Sequence, residues 1–255
     1  MRAVATIAAN TVRELVRSKL LYNLLLFAAL FIGSSLGVAQ LTIGNWARII
    51  LDMGLSAIEL VGGLMAVIIG VGLLAGEVQR RTVLPTLAKP VARWQFCLGR
   101  YLGLVLLLAV NVVVMLALLA LVLKAASYTL GAPALGAALL IFVELALIAA
   151  VAVLFASFST PLLAGGFALA VFFIGHLLSD LQTFGHRAKP AGLAGIAAAL
   201  YAVLPDLELL NLKAQAANEL PVAAGFVWRS AAYGFAYAAV TLVIAMVIFS
   251  RRDLN

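Results

Sequence analysis

Long stretches of apolar residues without a charge constrain this chain more than any other feature. An α-helix needs about 20 consecutive apolar residues to cross the hydrocarbon core of a bilayer. Composition agrees, because 65% of the residues are hydrophobic and 11% are charged, whereas soluble domains carry roughly 25% charged residues. Six stretches qualify, so we predict an all-α polytopic membrane protein with six transmembrane helices in one domain over residues 1–255. The predicted spans are 20–40, 55–76, 100–124, one on each side of residues 157–161, and 230–250.

The fourth and fifth predicted spans share one apolar stretch. No charge occurs between Glu144 and Asp180, a distance too long for a single crossing. The sequence SFSTP at 157–161 interrupts this stretch, and its proline removes a backbone donor and breaks the helix. We therefore predict a tight hairpin of spans four and five.

The basic residues fix the predicted orientation. With the N-terminus inside, eleven of the seventeen Lys and Arg residues lie on the cytoplasmic side and six on the other, as the positive-inside rule expects. Both termini are thus predicted in the cytoplasm, with the chain in a bacterial cytoplasmic (inner) membrane. The net charge of +7 is accounted for by these basic loops, so no nucleic-acid partner is expected.

Two segments outside the spans have apolar patterns of their own. Residues 1–19 place apolar side chains near helical spacing and predict an interfacial helix, although a plain cytosolic extension would carry the same charges. Residues 179–228 form a predicted external segment. Its apolar part, 190–205, is short for a crossing and lies between two prolines, so we interpret it as a re-entrant or membrane-resting helix.

The segment 77–100, between spans two and three, is basic and contains two prolines. Arginine side chains in such a cytoplasmic segment offer paired donors for a partner's carboxylates, although a solvated loop is the ordinary interpretation of a charge run. Its residue order resembles the signature that follows the second span of ABC type-2 permeases. The residues that carry this resemblance are Glu77, Thr82, Pro90, Arg93 and Gly99, with Arg81 where many relatives have glycine.

Three further stretches extend this resemblance from end to end. TVRELVRSKLLYNLLL at 11–26 is similar to the start of the family's first span, and LPDLELLNLK at 204–213 is similar to the segment before its last span. The ending FSRRDL at 249–254 is similar to the family's usual close. Within the family, the chain most resembles permeases grouped with the maturation of multicopper enzymes such as nitrous oxide reductase.

The resemblance implies a machine of several subunits. Such permeases pair as two six-span halves, so a homodimer embedded in membrane lipids is expected, with spans one and five at the dimer contact. A separate nucleotide-binding ATPase subunit binds ATP and Mg²⁺ and docks on the cytoplasmic segment, and a periplasmic partner is possible. The chain lacks the phosphate-binding sequence G-x-x-x-x-G-K-[ST], and it is expected to have no catalytic, cofactor or metal site. The matching docking residues are Glu77, Arg81, Thr82, Pro90 and Arg93.

Four polar side chains fall inside the predicted spans. Charged groups at bilayer depth are costly and usually face a partner or a cavity. We expect Glu144 to hydrogen-bond to Asn111 at comparable depth, and Glu59 to lie near the outer end of span two, where it could line a vestibule. His176 is expected to be a hydrogen-bonded structural residue, because two histidines are too few for a His-rich metal site.

Glycine pairs four residues apart predict close helix packing, more often inside one subunit than at a dimer contact. The pairs are 33 and 37, 72 and 76, and 99 and 103.

Two other functions remain open from the sequence. A secondary transporter or channel would use Glu144 and Glu59 for proton or cation coupling, but no repeated hydropathy pattern relates the two halves. An ABC-driven scaffold would instead transmit force to a periplasmic partner without moving a solute.

Overall fold

A computed structural model of the chain describes residues 2–40, 45–80, 92–187, 201 and 203–251. The described part is helical, with a short 3₁₀ turn at Glu208–Leu210. Six of its helices, α2 to α6 and α8, are long and apolar enough to cross a membrane. This confirms the all-α, six-span prediction. The helices are α1 (Arg2–Val16), α2 (Lys19–Gln40), α3 (Trp46–Arg80), α4 (Arg93–Ala125), α5 (Ala132–Phe158), α6 (Pro161–Arg187), α7 (Lys213–Ala217) and α8 (Ala224–Arg251).

Helix α5 forms the centre of the bundle. It is apolar on all sides, as expected for a helix surrounded by others, and it packs against α3, α4, α6 and α8. Helices α3 and α5 bury most of their membrane-spanning residues, whereas α2, α4, α6 and α8 bury only a third or less of theirs. The core therefore lies around α3 and α5, and the other four spanning helices present apolar surface outward.

The predicted hairpin of spans four and five is confirmed. Helix α5 ends at Phe158, where the Ser159 amide donates to the carbonyl of Phe155 at 2.9 Å. Helix α6 begins at Pro161, a first-turn position where the missing amide hydrogen of proline costs nothing.

Several helix boundaries differ from the prediction. Helix α3 begins at Trp46 rather than near residue 55, and its spanning part is Trp46–Leu74. Glu59 lies near the midpoint of this helical stretch. Its position near the outer end of the membrane stays a prediction, because α3 begins before the apolar run. Helix α8 begins at Ala224 rather than near residue 230. Charged residues inside the first turns of α3, Arg48 and Asp52, hid its true start, because a helix can continue beyond the hydrocarbon core.

The two segments outside the spans are partly described. Residues 77–80 continue α3 and residues 93–100 belong to α4, whereas 81–91 lie outside the described residues, so helices within that loop stay a prediction. The predicted re-entrant helix at 190–205 also falls mostly outside them. Of the predicted external segment, 179–187 belong to α6 and 224–228 to α8.

Helix α1 is helical as predicted and packs against α4 through two glycines. A Cβ atom on Gly103 would lie 2.6 Å from Cβ of Thr11 and 2.8 Å from the carbonyl oxygen of Ala8. At Gly99 it would lie 2.8 Å from Cβ of Ile7. Only glycine permits this approach, which we call the α1–α4 seam. The prediction that this pair packs within the subunit is confirmed.

Polar contacts flank the α1–α4 seam. Arg100 on α4 donates to Glu14 on α1, with Nη1 and Oε2 2.6 Å apart. Arg93, at the start of α4, donates to the carbonyl of Ser250 near the end of α8 at 3.2 Å. These contacts join α1, α4 and α8 at one end of the bundle, which we call the α1 face.

Other glycine positions behave differently. Among the described residues, no heavy atom lies within 4 Å of a Cβ atom built on Gly33, Gly37 or Gly72. These glycines therefore make no close helix contact within the described part of the chain.

Candidate functional site

Four polar side chains from four helices meet inside the bundle. Glu59 comes from α3, Glu144 from α5, His176 from α6 and Lys213 from α7. We call this group the polar cluster. The first three are predicted intramembrane residues, and the structure brings them together. Lys213 joins them from the segment that precedes the last span.

Helix packing sets the positions of the three intramembrane residues. Helix α5 is central, so Glu144 near its middle is fully buried, with 0% exposure. Helix α3 packs against both α5 and α6, which places Glu59 beside the α5–α6 hairpin. Glu59 is itself 5% exposed. The cluster therefore sits at the contact of the three helices rather than on the bundle surface.

His176 is the centre of the polar cluster. Its Nε2 lies 2.8 Å from Oε1 of Glu59 and 3.3 Å from Oε1 of Glu144. Its Nδ1 lies 2.8 Å from the carbonyl oxygen of Phe172. A carbonyl can only accept, so Nδ1 carries hydrogen and donates, which leaves Nε2 to face the two carboxylates. The expectation that His176 is hydrogen-bonded is confirmed.

Glu59 has two partners, one for each oxygen. Oε1 faces His176, and Oε2 accepts a hydrogen bond from Nζ of Lys213. The lysine side chain is 17% exposed and that of Glu59 is 7% exposed. An opposite charge beside a buried carboxylate offsets part of its desolvation cost.

Glu144 is the least satisfied member. Neither carboxylate oxygen accepts a hydrogen bond from a described residue, although both are buried. Buried polar atoms without a partner are rare in folded proteins, and each costs about 1–3 kcal/mol. Nε2 of His176 lies 3.3 Å from Oε1 of Glu144 without forming a hydrogen bond to it.

The segment before the last span covers the polar cluster from one end. Leu207 and Leu210 are completely buried, and the Leu207 amide donates to the carbonyl of Gly175 at 3.1 Å. A Cβ atom on Gly175 would lie 2.7 Å from Leu207 Cδ1 and 3.1 Å from the carbonyl oxygen of Pro205. Glycine at this position lets the segment pass close to α6, so residues 204–212 pack into the bundle.

Further hydrogen bonds fix this covering segment. The Asp206 amide donates to the hydroxyl oxygen of Tyr233 at 3.0 Å, and the Tyr237 hydroxyl donates to the carbonyl of Val203 at 2.6 Å. Oδ1 of Asp206 accepts from the amide of Glu208 at 3.1 Å, at the start of the 3₁₀ turn. Helix α7 follows directly and contacts α3 and α5. Lys213 in its first turn thereby reaches Glu59.

The predicted hydrogen bond between Glu144 and Asn111 is wrong. Glu144 faces α3 and α6, whereas Asn111 on α4 donates from Nδ2 to the sulfur of Met65 at 2.9 Å. Asn111 Oδ1 is buried and has no hydrogen-bond partner among the described residues. Similar depth in two neighbouring helices therefore did not suffice to predict a hydrogen bond, because the two side chains contact different helices.

Sequence reasoning missed the meeting of Glu144 with His176 and the contribution of Lys213. One signal was available, since both Glu144 and His176 lie about 20 Å along their helices from the hairpin turn. The antiparallel hairpin thus brings them to similar depth. No comparable signal identified Lys213, because its position depends on how the covering segment threads between helices.

The predicted docking residues are less completely described. Arg93 is half-buried at the start of α4 and contacts the end of α8. Glu77 belongs to α3, with its side chain outside the described part. Arg81, Thr82 and Pro90 lie outside the described residues, so their docking role stays a prediction.

Comparison with known proteins identifies the family. Residues 5–254 match the family model described as ABC-2 family transporter protein. No curated protein matches the chain. The match covers nearly the whole bundle, including α1, the polar cluster and the six spanning helices. The chain therefore belongs to the ABC-2 transporter family and is a membrane permease subunit of an ABC transporter.

Proposed function

We propose that this chain is the membrane half of an ATP-driven exporter, powered by a separate ATPase subunit that docks on residues 77–100. The observation that carries the proposal is the family match over 5–254 in a chain without a phosphate-binding loop. ATP and Mg²⁺ are bound by the partner. The α1 face is cytoplasmic in this proposal, which agrees with the distribution of basic residues.

The helices on both sides of the docking segment supply a route for coupling. Helix α3 leads into it and is one of the two buried core helices. Helix α4 leaves it and is joined to α1 through the α1–α4 seam and to α8 through Arg93. A displacement imposed on this segment would therefore reach α3 directly, and α1, α4 and α8 together.

A second copy completes the proposed transporter. Helices α2 and α6 expose large apolar side chains, including Leu30 on α2 and Leu162 and Phe167 on α6. Gly33 and Gly165 on these helices have no close neighbour among the described residues. These features support a homodimer contact through α2 and α6, the first and fifth spans, with lipid covering the remaining outward surface.

Co-purification tests the docking proposal. The permease would be expressed with its ATP-binding partner and purified in mild detergent through a tag on the permease. We expect the wild type to retain the partner and Arg93→Glu to retain less of it. The reversed charge would repel carboxylates on the partner. Arg229→Glu is the matched control, since Arg229 is exposed at the start of α8, at the other end of that helix. Wild-type retention by Arg93→Glu would remove Arg93 from the docking surface.

Transport into vesicles separates an exporter from a scaffold. Inverted vesicles carrying the complex would be supplied with ATP and candidate apolar solutes. We expect ATP-dependent accumulation of a solute. Normal ATP hydrolysis without movement of any solute would favour the scaffold that passes force to a periplasmic partner. If such a partner is a multicopper enzyme, its copper content should fall in a strain that lacks the chain.

One observation favours a second candidate, the cation-coupled transporter. Glu59 and Glu144 converge on His176 inside the bundle, as coupling carboxylates in membrane proteins do. This candidate predicts that an ion gradient alone drives solute movement in vesicles without the ATPase partner. The family match favours the ATP-driven function instead.

A further inference from the structure

We propose that Glu59, Glu144 and His176 form a binding site for one divalent transition-metal ion of the Zn²⁺ class. The three residues lie on three different helices, so a bound ion would join α3, α5 and α6 at the middle of the bundle. The inference rests on the side-chain geometry and does not depend on the ATPase partner or on export.

The ligand spacing fits such an ion. One ligand atom from each residue lies within 4.8 Å of the other two. Metal–ligand bonds of about 2.1 Å place neighbouring ligand atoms roughly 2.9 to 3.4 Å apart, depending on the coordination angle. Nε2 of His176 lies 2.8 Å from Glu59 Oε1 and 3.3 Å from Glu144 Oε1. Small side-chain adjustments therefore suffice to close three ligands around one ion.

Two of the ligands are already oriented by other groups. The Nδ1 hydrogen of His176 is held by the carbonyl of Phe172 at 2.8 Å, which directs the Nε2 lone pair into the site. Lys213 holds Oε2 of Glu59, which turns Oε1 toward the same point. Ligating histidines and carboxylates in metalloproteins are typically oriented in this way by a second hydrogen bond.

Glu144 supplies an independent indication of a ligand. Its carboxylate is completely buried, and neither oxygen has a hydrogen-bond donor among the described residues. When Nδ1 donates to Phe172 and the imidazole is in its neutral form, Nε2 presents only a lone pair to Glu144 and Glu59. Three such acceptor atoms repel one another unless a cation lies between them.

The charges and ligand types narrow the choice of cation. Two carboxylates balance the charge of a divalent ion. The remaining ammonium group, Lys213, is 17% exposed and so keeps contact with water at the edge of the cluster. An imidazole ligand favours Zn²⁺, Fe²⁺, Co²⁺ or Ni²⁺ over Mg²⁺ and Ca²⁺. Three protein ligands leave one coordination position open.

A proton is the competing occupant. A hydrogen on Nε2 of His176 would donate to Glu59 and neutralise the same repulsion without a metal. We favour the metal because a single hydrogen on Nε2 can donate to only one carboxylate, that of Glu59. Glu144 would remain without a hydrogen bond. An ion contacts both carboxylates at once.

Metal content of the full chain tests the proposal. Permease purified in detergent would be stripped with a chelator, exposed to Zn²⁺ alone, desalted and analysed for zinc by mass spectrometry. We expect one ion per chain in the wild type, and affinity lowered by about tenfold or more in Glu144→Gln and His176→Gln, because even changes behind a ligand cost this much. His186→Gln changes the only other histidine and should retain the ion.

Two outcomes would overturn the site. One is a wild type that binds no more zinc than Glu144→Gln, which would assign the cluster to a proton. The other is zinc lost equally from His186→Gln. If a variant does not elute as a single folded species, X-ray absorption spectroscopy of Co²⁺ bound to the wild type would identify the ligand atoms instead. Nitrogen and oxygen ligands with one imidazole support the site, whereas a sulfur ligand from Cys97 or two imidazoles contradict it.

Discussion

The α1–α4 seam and the polar cluster hold helices together by different physical means. At the seam, missing side chains on Gly99 and Gly103 let two helices approach until backbone and Cβ atoms touch. In the polar cluster, the contact depends on charged side chains that compensate one another. No other residue can replace glycine at the seam without separating the two helices. In the cluster, by contrast, the negative charges can be balanced by Lys213, by a proton or by the proposed metal ion.

This difference suggests how the two regions contribute to function. Helices joined by backbone contact shift as one piece, because interdigitated surfaces are not continuously deformable. The ion pair between Lys213 and Glu59 is lost when either charge is neutralised, whereas hydrogen bonds and buried leucines still hold residues 203–212. We therefore expect α1 and α4 to move together, and the contact between Lys213 and Glu59 to be the part that responds to changes in the cluster.

The largest expected effect breaks the seam. Leucine at Gly103 would press against the Ala8 carbonyl, which no rotamer can avoid, so α1 must separate from α4. We expect Gly103→Leu to lower the free energy of unfolding by about 3 kcal/mol or more, measured by denaturation in mixed micelles. Gly33→Leu is the matched control, because its Cβ atom meets no described heavy atom within 4 Å. Equal losses in both variants would contradict the steric account.

The next effect breaks the cluster. Lys213→Met removes the cation on Glu59 and leaves a buried carboxylate supported by His176 alone. We expect a loss of about 2 kcal/mol, below the usual 3–5 kcal/mol for a broken buried pair, because Lys213 is partly exposed. Adding Glu59→Gln should restore part of this loss in a double-mutant cycle. Strictly additive losses would show that packing, not charge, holds α7.

A smaller effect separates the cluster from other buried polar groups. Asn111 has a buried oxygen without a partner among the described residues and lies outside the cluster. Replacing a poorly satisfied buried amide by an apolar group of similar shape can be nearly neutral or stabilising. We expect Asn111→Leu to change the melting temperature little or to raise it. A loss of about 2 kcal/mol, the cost of orphaning a buried partner, would indicate that Asn111 supports Glu144 after all.

The smallest effect concerns the charge pair beside the seam. The Glu14 side chain is 62% exposed, and exposed pairs contribute roughly 0–1 kcal/mol. Glu14→Gln should therefore lower stability by about 0.5 kcal/mol or less, and added salt should reduce the difference further. A loss comparable with Gly103→Leu would mean that charge, rather than close approach, holds α1 on α4.

The sequence predicted the bundle better than the site. Apolar runs must lie in lipid or in the core, so the six spans and the hairpin at Pro161 follow from local pattern. The start of α3 did not, since Arg48 and Asp52 interrupt the pattern while the helix continues. The site was predicted only in part. Glu59, Glu144 and His176 stood out as polar residues in spans, but Lys213 reaches Glu59 through long-range packing of residues 204–212 that no local pattern encodes.

In the proposed function, a separate ATPase drives this membrane subunit. The most direct test of this proposal is the ATPase rate of the co-purified complex in lipid vesicles, compared with that of the partner alone. We expect a stable complex whose ATP hydrolysis depends on the permease and is reduced by Arg93→Glu but not by Arg229→Glu. A partner that fails to co-purify, and whose hydrolysis is the same with and without this chain, would contradict it.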